Sequence, residues 1–226
     1  MNNCWYKDTC NLYQSLNCSE SCIRYSEMKY LLENSNLPIN KYIPDKLIPE
    51  ECDLIAFNRL ANIKSDILWF VQSGNNLYIT SNHTGNGKTS WAIKLLLKYF
   101  NEIWPGNGFN KKGLYIHTPT FLSQIKNSFS VNSSYIHKLK EDLLKVDLVI
   151  WDDIASTGLS QFDHSQLLMY IDQRLLAGKS NIYTGNLQET DLYKVLGERL
   201  TSRIYDSEVI TLYGKDRRYG STSNNQ

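Results

Sequence analysis

From residue 76 onward the chain alternates short apolar runs with longer stretches whose apolar residues recur every three or four positions. The runs NLYIT (76–80), GLYIHT (113–118), VDLVIW (146–151), SNIYTG (180–185) and SEVITLY (207–213) have strand length. VDLVIW is apolar enough to be buried on both faces. Between them TSWAIKLLLKYFNEIW, PTFLSQIKNSF, SSYIHKLKEDLLK, HSQLLMYIDQRLLAG and TDLYKVLGERLTSRIYD carry the helical period. This order predicts an α/β fold, with a five-stranded parallel sheet between helices. Upstream, residues 49–73 begin at Pro49, open acidic and stop before Gly74. They predict one helix with Leu54, Phe57, Leu60, Ile67 and Phe70 on its apolar face. LPINKYIPDKLIP, with three prolines, reads as a linker, and SESCIRYSEMKYLLENSN as a first helix capped by Ser19. Ile23, Met28, Leu31 and Leu32 fall at helical spacing there.

The first strand runs into SNHTGNGKTS (81–90). A phosphate-binding loop needs backbone N–H groups turned inward, a lysine that reaches the β and γ oxygens, and a hydroxyl for Mg²⁺. Gly85 and Gly87 permit the tight path, Lys88 supplies the charge and Thr89 the hydroxyl. The loop as a whole comprises Asn82, His83, Thr84, Gly85, Asn86, Gly87, Lys88, Thr89 and Ser90. The usual opening glycine is replaced by Asn82, the non-glycine residue that best tolerates left-handed backbone. Strand before and helix after are the context such a loop requires, and the helix N-terminus adds partial positive charge.

Sixty residues on, LVIWDDI (148–154) is an apolar strand ending in two acids. Asp152 is placed to hold Mg²⁺ through water, and Asp153 to orient or deprotonate the attacking water. The neighbouring strand SNIYTGN offers a polar residue for the γ-phosphate, Asn186 before Thr184. As a plain turn residue Asn186 is nearly as well accounted for.

Composition narrows the setting. A chain of 226 residues suits one medium α/β domain with a small appendage, and 42% hydrophobic with 12% aromatic residues provides for a core. Net charge +1 excludes a uniformly basic protein, so nucleic acid would have to meet a local patch. No apolar run approaches the roughly 20 residues of a membrane span, and MNNCWYKDTC lacks the apolar core of a signal peptide. A cytoplasmic protein without membrane contact is expected. Four of the five cysteines, Cys4, Cys10, Cys18 and Cys22, crowd into the first 22 positions. Their C-x5-C-x7-C-x3-C spacing is not a standard finger, yet so short a segment would fold more readily around Zn²⁺. The alternative is four reduced thiols in a helical arm.

Together NHTGNGKT, LVIWDDI, YIDQRLLAGKSNIYTGN, LGERLTSRI and the closing GKDRR resemble the AAA+ ATPases, within them the DnaC/DnaI-type loaders of bacterial replicative helicases. The resemblance covers about residues 75–218. It implies a P-loop NTPase core (75–214) preceded by a Cys-rich arm (1–35) and a linker and helix (36–74), and followed by a basic motif and flexible tail (215–226). It further implies ATP and Mg²⁺ as cofactors, slow assembly-dependent ATP hydrolysis, self-association through ATP sites, and a hexameric replicative DNA helicase and single-stranded DNA as partners. An arginine reaching the neighbouring subunit's ATP falls on Arg203, with Arg199 second. Arg174 resembles another intersubunit arginine, and Arg217 and Arg218 match the basic motif. The helix after the second strand is the family's DNA contact, here Lys126, Ser123 and Asn127. The short arm resembles phage or mobile-element loaders. Asp153 departs from the family's Glu, which bears on hydrolysis rate. An IstB-like transposition helper shares these motifs, and a non-hydrolysing adaptor is the alternative of a different class.

Overall fold

The computed structural model describes residues 4–7, 10–19, 21–38, 47–105, 107–128, 133–155 and 158–216. After a first helix, α1 (Ile23–Glu33), a single 3₁₀ turn (Glu51–Asp53) leads into α2 (Leu54–Ser65) and α3 (Ile67–Gln72). The core follows as β1 (Asn76–Ser81), α4 (Lys88–Ile103), β2 (Gly113–His117), α5 (Thr118–Asn127), α6 (Ser134–Lys145), β3 (Leu148–Asp152), α7 (Gln161–Leu176), β4 (Ser180–Gly185), α8 (Glu189–Tyr205) and β5 (Glu208–Leu212).

The five strands lie in the order β2-β3-β4-β1-β5, all parallel. Alternate residues of each strand point to opposite faces. Leu77, Ile79, Leu148, Ile150 and Ile182 therefore join the core formed with α2, α3 and α4. Tyr78, Val149, Trp151 and Tyr183 join the one formed with α5 to α8. Each fully buried Leu or Ile contributes about 1.5–3 kcal/mol relative to exposure. Every residue of β3 and β4 is buried; β3 reads accordingly as an apolar run, whereas β4 buries Ser180, Asn181 and Thr184 with hydrogen bonds.

Four sequence expectations are corrected. The helix expected over 49–73 breaks at Asp66 (φ −105°, ψ 29°) into α2 and α3, and Leu54 is exposed rather than inward. Cys22, not Ser19, stands at the start of α1, and Ile23 faces solvent. α7 begins earlier than its apolar pattern, because Ser160 and Asp163 form a reciprocal capping box, the Ser160 hydroxyl accepting from the Asp163 N–H while the Asp163 carboxylate accepts from the Ser160 N–H. α8 also departs from a plain helix: Gly197 (φ 69°, ψ 170°) interrupts it.

Segments before the core bond to the edge strand β2 and to the chain just past β5. The Ser35 carbonyl, just past α1, accepts from the Tyr115 N–H on edge strand β2 at 2.8 Å. Beyond β5, Asp53 accepts from the N–H groups of Tyr213 (2.6 Å) and Gly214 (3.1 Å), and Glu50 from that of Lys215 (2.9 Å). The arm itself packs through Tyr6, whose ring lies under the Arg24 guanidinium at 3.3 Å.

Candidate nucleotide site

The loop between β1 and α4 sits at the carboxyl end of a central strand, with the chain crossing from β1 to the far edge. Gly85 (φ 75°) and Gly87 (φ 103°) adopt left-handed backbone, where a side chain would be strained. Gly87 stands immediately before α4 and offers no side-chain cap, and the N–H groups that open that helix point to the end where an anion is favoured. Asn82 is not among the positive-φ residues. The missing glycine is thus conformationally unneeded here, for a different reason from left-handed tolerance. Asn82 is exposed and accepts from Gln188 Nε2 at 3.2 Å. His83 and Thr84 are exposed as well, and Thr89 and Ser90 half-buried in the first turn of α4.

Lys88 is buried. Its ammonium donates to Ser81 Oγ (2.7 Å), the His83 carbonyl (2.9 Å) and Asn86 Oδ1 (3.3 Å). Three neutral oxygens hold the cation inside the loop, where an anion would find both it and the helix N-terminus. Asn86 is buried too, its amide donating to the Leu212 carbonyl at 3.3 Å.

At the end of β3, the Asp152 carboxylate is almost wholly buried and held from two sides. Tyr115 donates to Oδ2 at 2.5 Å, and Thr184 to Oδ1 at 2.7 Å. Burial, with the Asp152 charge beside it, raises the Tyr115 hydroxyl far above the usual phenol range, so it stays a donor. Thr184 Oγ accepts in turn from the Asp153 N–H at 3.0 Å. Asp153 has φ 60°, a conformation Asp tolerates better than most, and is half-buried. Asn186 follows β4, and its Oδ1 is buried with no hydrogen-bond partner among the described residues. An unpaired buried amide oxygen costs about 1–3 kcal/mol, which marks the position as waiting for a donor.

A triphosphate fits this set. The loop supplies positive-φ glycines, a buried ammonium and a helix N-terminus. Thr89 and Asp152 offer the hard oxygen ligands Mg²⁺ takes, and Asn186 Oδ1 is an orphan acceptor suited to a water beside the phosphates. The sequence motifs pointed to these residues but not to Tyr115, Ser81 or Thr184's second bond. The only signal for Tyr115 is its register: a polar-tipped aromatic in β2 whose partner, Ile150, stands two residues before Asp152 on β3.

The arginines separate. Arg174 is fully buried, and all of its N–H donors are used. Nε donates to Asn181 Oδ1 (2.7 Å), Nη1 to the Leu143 (2.6 Å) and Val146 (3.0 Å) carbonyls, and Nη2 to those of Ser180 (2.6 Å) and Asp147 (3.4 Å). These partners lie where β3 and β4 begin, away from the phosphate loop. The expectation of an intersubunit arginine is corrected: burial fixes Arg174 as a tie between α6, β3 and β4, and desolvation lowers its guanidinium to about 10. Arg203, in the last turn of α8, pairs with Asp172 of α7 at 2.5 Å and stays about one-third exposed. Arg199 is exposed one turn earlier. Arg217 and Arg218 lie outside the described residues.

On α5, Ser123, Lys126 and Asn127 share the exposed side, while Phe121, Leu122 and Ile125 are buried. Lys126 pairs with Asp163 at 2.6 Å. The zinc expectation is not met. Among the described residues, which include Cys4, Cys10, Cys18 and Cys22, no group of three or more His, Cys, Asp or Glu side chains is arranged to hold a metal. Cys4 and Cys10 instead pack against the core beside Tyr6, and Cys22 is exposed.

No protein-family model matches the chain, and no curated protein matches it in sequence. Solved structures match its fold. The DnaC helicase loader gives a TM-score of 0.59 at 22% identity, over 74% of this chain and 94% of the other. DnaI gives 0.59 at 14% identity, over 74% and 88%. The replication initiator DnaA, in a structure bound to AMPPCP and single-stranded DNA, gives 0.56 at 17% identity, over 81% of this chain and 50% of the other. This chain has the AAA+ P-loop fold. At these identities the likeness concerns architecture, and the site's chemistry rests on the residues above. Among the described residues no helix is long and apolar enough to cross a membrane.

Proposed function

We propose that this protein is an ATP-binding and ATP-hydrolysing replication factor of the helicase-loader type. The reading rests above all on the buried Lys88 ammonium, held among loop oxygens at the N-terminus of α4. ATP with Mg²⁺ supplies a phosphoanhydride whose γ-phosphoryl group is transferred to water. Lys88 and the N–H groups from Gly85 to Thr89 would bind the phosphates, Thr89 and Asp152 would hold the metal, and Asp153 would orient water. Asn186, with its unpaired Oδ1, would position that water or the γ-phosphate through a bridging donor.

Arg203 lies at the end of the sheet where strands begin, whereas the loop lies where they end. It therefore serves a second copy's phosphates, not its own, and hydrolysis requires assembly. Two solved loaders and an initiator bound to single-stranded DNA share this architecture, which supports a helicase as partner and single-stranded DNA as scaffold, with Ser123, Lys126 and Asn127 as the contacting face. ATPase rate measured against protein concentration, with and without single-stranded DNA, tests this reading. Rate per protomer should rise with concentration and DNA, and fall about 10³-fold in Arg203→Ala, the low end for an arginine finger. A rate indifferent to concentration, DNA and Arg203 overturns it.

A further inference from the structure

The phosphate loop already has an occupant from its own chain. A methyl group built on Gly85 would overlap the Asp216 carboxylate, so that carboxylate lies directly against the Gly85 Cα. The contact is built, not incidental. The three residues before Asp216 have their N–H groups taken by Asp53 and Glu50, as described above, and Gly214 is seated so closely that any Cβ would meet Asp53 Oδ2 at 2.5 Å. Residues 213–215 are thereby fixed in register, and the next residue, Asp216, reaches the loop. Both oxygens of the Asp53 carboxylate are spent on this anchor, from a side chain that is fully buried.

We propose that Asp216 is an intramolecular stopper of the phosphate loop, closing it when no nucleotide is present and displaced by the nucleotide's phosphates. The inference rests on the nucleotide reading above. The physical ground is that a carboxylate and a β-phosphate are like charges directed to the same small loop. With the carboxylate already against the Gly85 Cα, the two compete for one space. Nucleotide must therefore open a closed loop, and its apparent affinity is reduced by the fraction of molecules already open.

Calorimetric titration of the full chain with ADP and Mg²⁺, and separately with pyrophosphate, tests this in wild type, Asp216→Asn and Asp216→Ala. Both variants should bind ADP and pyrophosphate about tenfold more tightly, the factor for a loop open about one-tenth of the time. In wild type, ADP should also speed tryptic cleavage after Lys215, with no such acceleration in Asp216→Ala, whose segment is already released. Equal affinities in all three proteins, or cleavage that ADP leaves unchanged, overturn the stopper while leaving the nucleotide site standing. Absence of ADP binding in every protein overturns the nucleotide reading itself, and the stopper with it.

Discussion

Tyr115 holds Asp152 by a 2.5 Å hydrogen bond from its hydroxyl to Oδ2, fixing which carboxylate lone pairs face the phosphate loop. The bond joins adjacent strands, and nothing in the loop motif calls for it. Tyr115→Phe removes only the hydroxyl. Its expected effect is on the metal: ADP binding without Mg²⁺ unchanged, the Mg²⁺ concentration for half-maximal ATPase raised several-fold, and kcat reduced more than KM. A magnesium titration of the ATPase checks it, and an unchanged midpoint removes Tyr115 from the site.

The Arg203–Asp172 pair makes the second prediction. An arginine held by a carboxylate of its own chain must leave it, or share it, to reach another copy's γ-phosphate. Asp172→Asn is expected to free the guanidinium and raise the ATPase rate at low protein concentration, whereas Arg203→Ala abolishes the concentration dependence. The pair is partly exposed, so the gain is modest, within the ~1 kcal/mol of such bridges, or about fivefold in rate. A slower Asp172→Asn enzyme would mean the carboxylate orients Arg203 for its task.

For Arg174 the prediction concerns stability. Replacing it by Met leaves the carbonyls of Leu143, Val146 and Ser180 without their donor in a dry region. A loss of about 3 kcal/mol follows, lowering Tm by about 10 °C for a chain of this size. Nucleotide affinity of the remaining folded protein should not change. Thermal unfolding read with and without ADP separates the two effects.

How much of this was legible in the sequence differs residue by residue. β3 was readable because burial on both faces demands an apolar run, and the loop because only glycines fit the positive φ of Gly85 and Gly87. Arg174 was not, since an arginine between a helix and a strand looks the same in sequence whether it faces a partner or ties two elements together. Its carbonyl partners come from Leu143, Val146 and Asp147, about thirty residues upstream, and from Ser180, six residues downstream. The break at Gly197 was likewise hidden, because the apolar period continues across it. In GKDRR the two arginines drew the reading, and the acid between lysine and arginine is the residue that touches the loop. The crowding of four cysteines suggested a metal site despite their non-standard spacing, whereas Cys4 and Cys10 pack against the core as small apolar side chains.

Acid sensitivity follows from two carboxylates. Burial alone would raise Asp147, but Lys179 and Lys112 outweigh it and hold its carboxyl below the ordinary range. Asp163, buried beneath Lys126 and bonded by Ser160, is lowered in the same way. A group whose folded pKa is depressed stabilises fully above its unfolded value, about 3.9 for Asp, and loses that contribution as pH falls through the folded value. Stability should therefore be flat in this respect near neutrality and decline below pH ~4. Lys126→Ala should move the acid-unfolding midpoint to higher pH, observable by circular dichroism.

Metal content closes the set. With Cys4 and Cys10 in the core packing, purified protein should retain substoichiometric zinc by elemental analysis, and a chelator should leave its Tm unchanged. Stoichiometric zinc with a chelator-dependent Tm would show the arm adopting another arrangement around the ion.

Ser35 on β2 and the Asp53–Glu50 pair beyond β5 have a consequence for assembly. A parallel sheet with an open margin invites another molecule to add a strand, which leads to sideways growth without limit. Here the residue after α1 bonds to the β2 margin, and Asp53 and Glu50 bind the chain where it leaves β5, so the chain's own upstream residues compete with an added strand at those points. A second copy serving the proposed shared site would meet the sheet at its ends rather than along these margins.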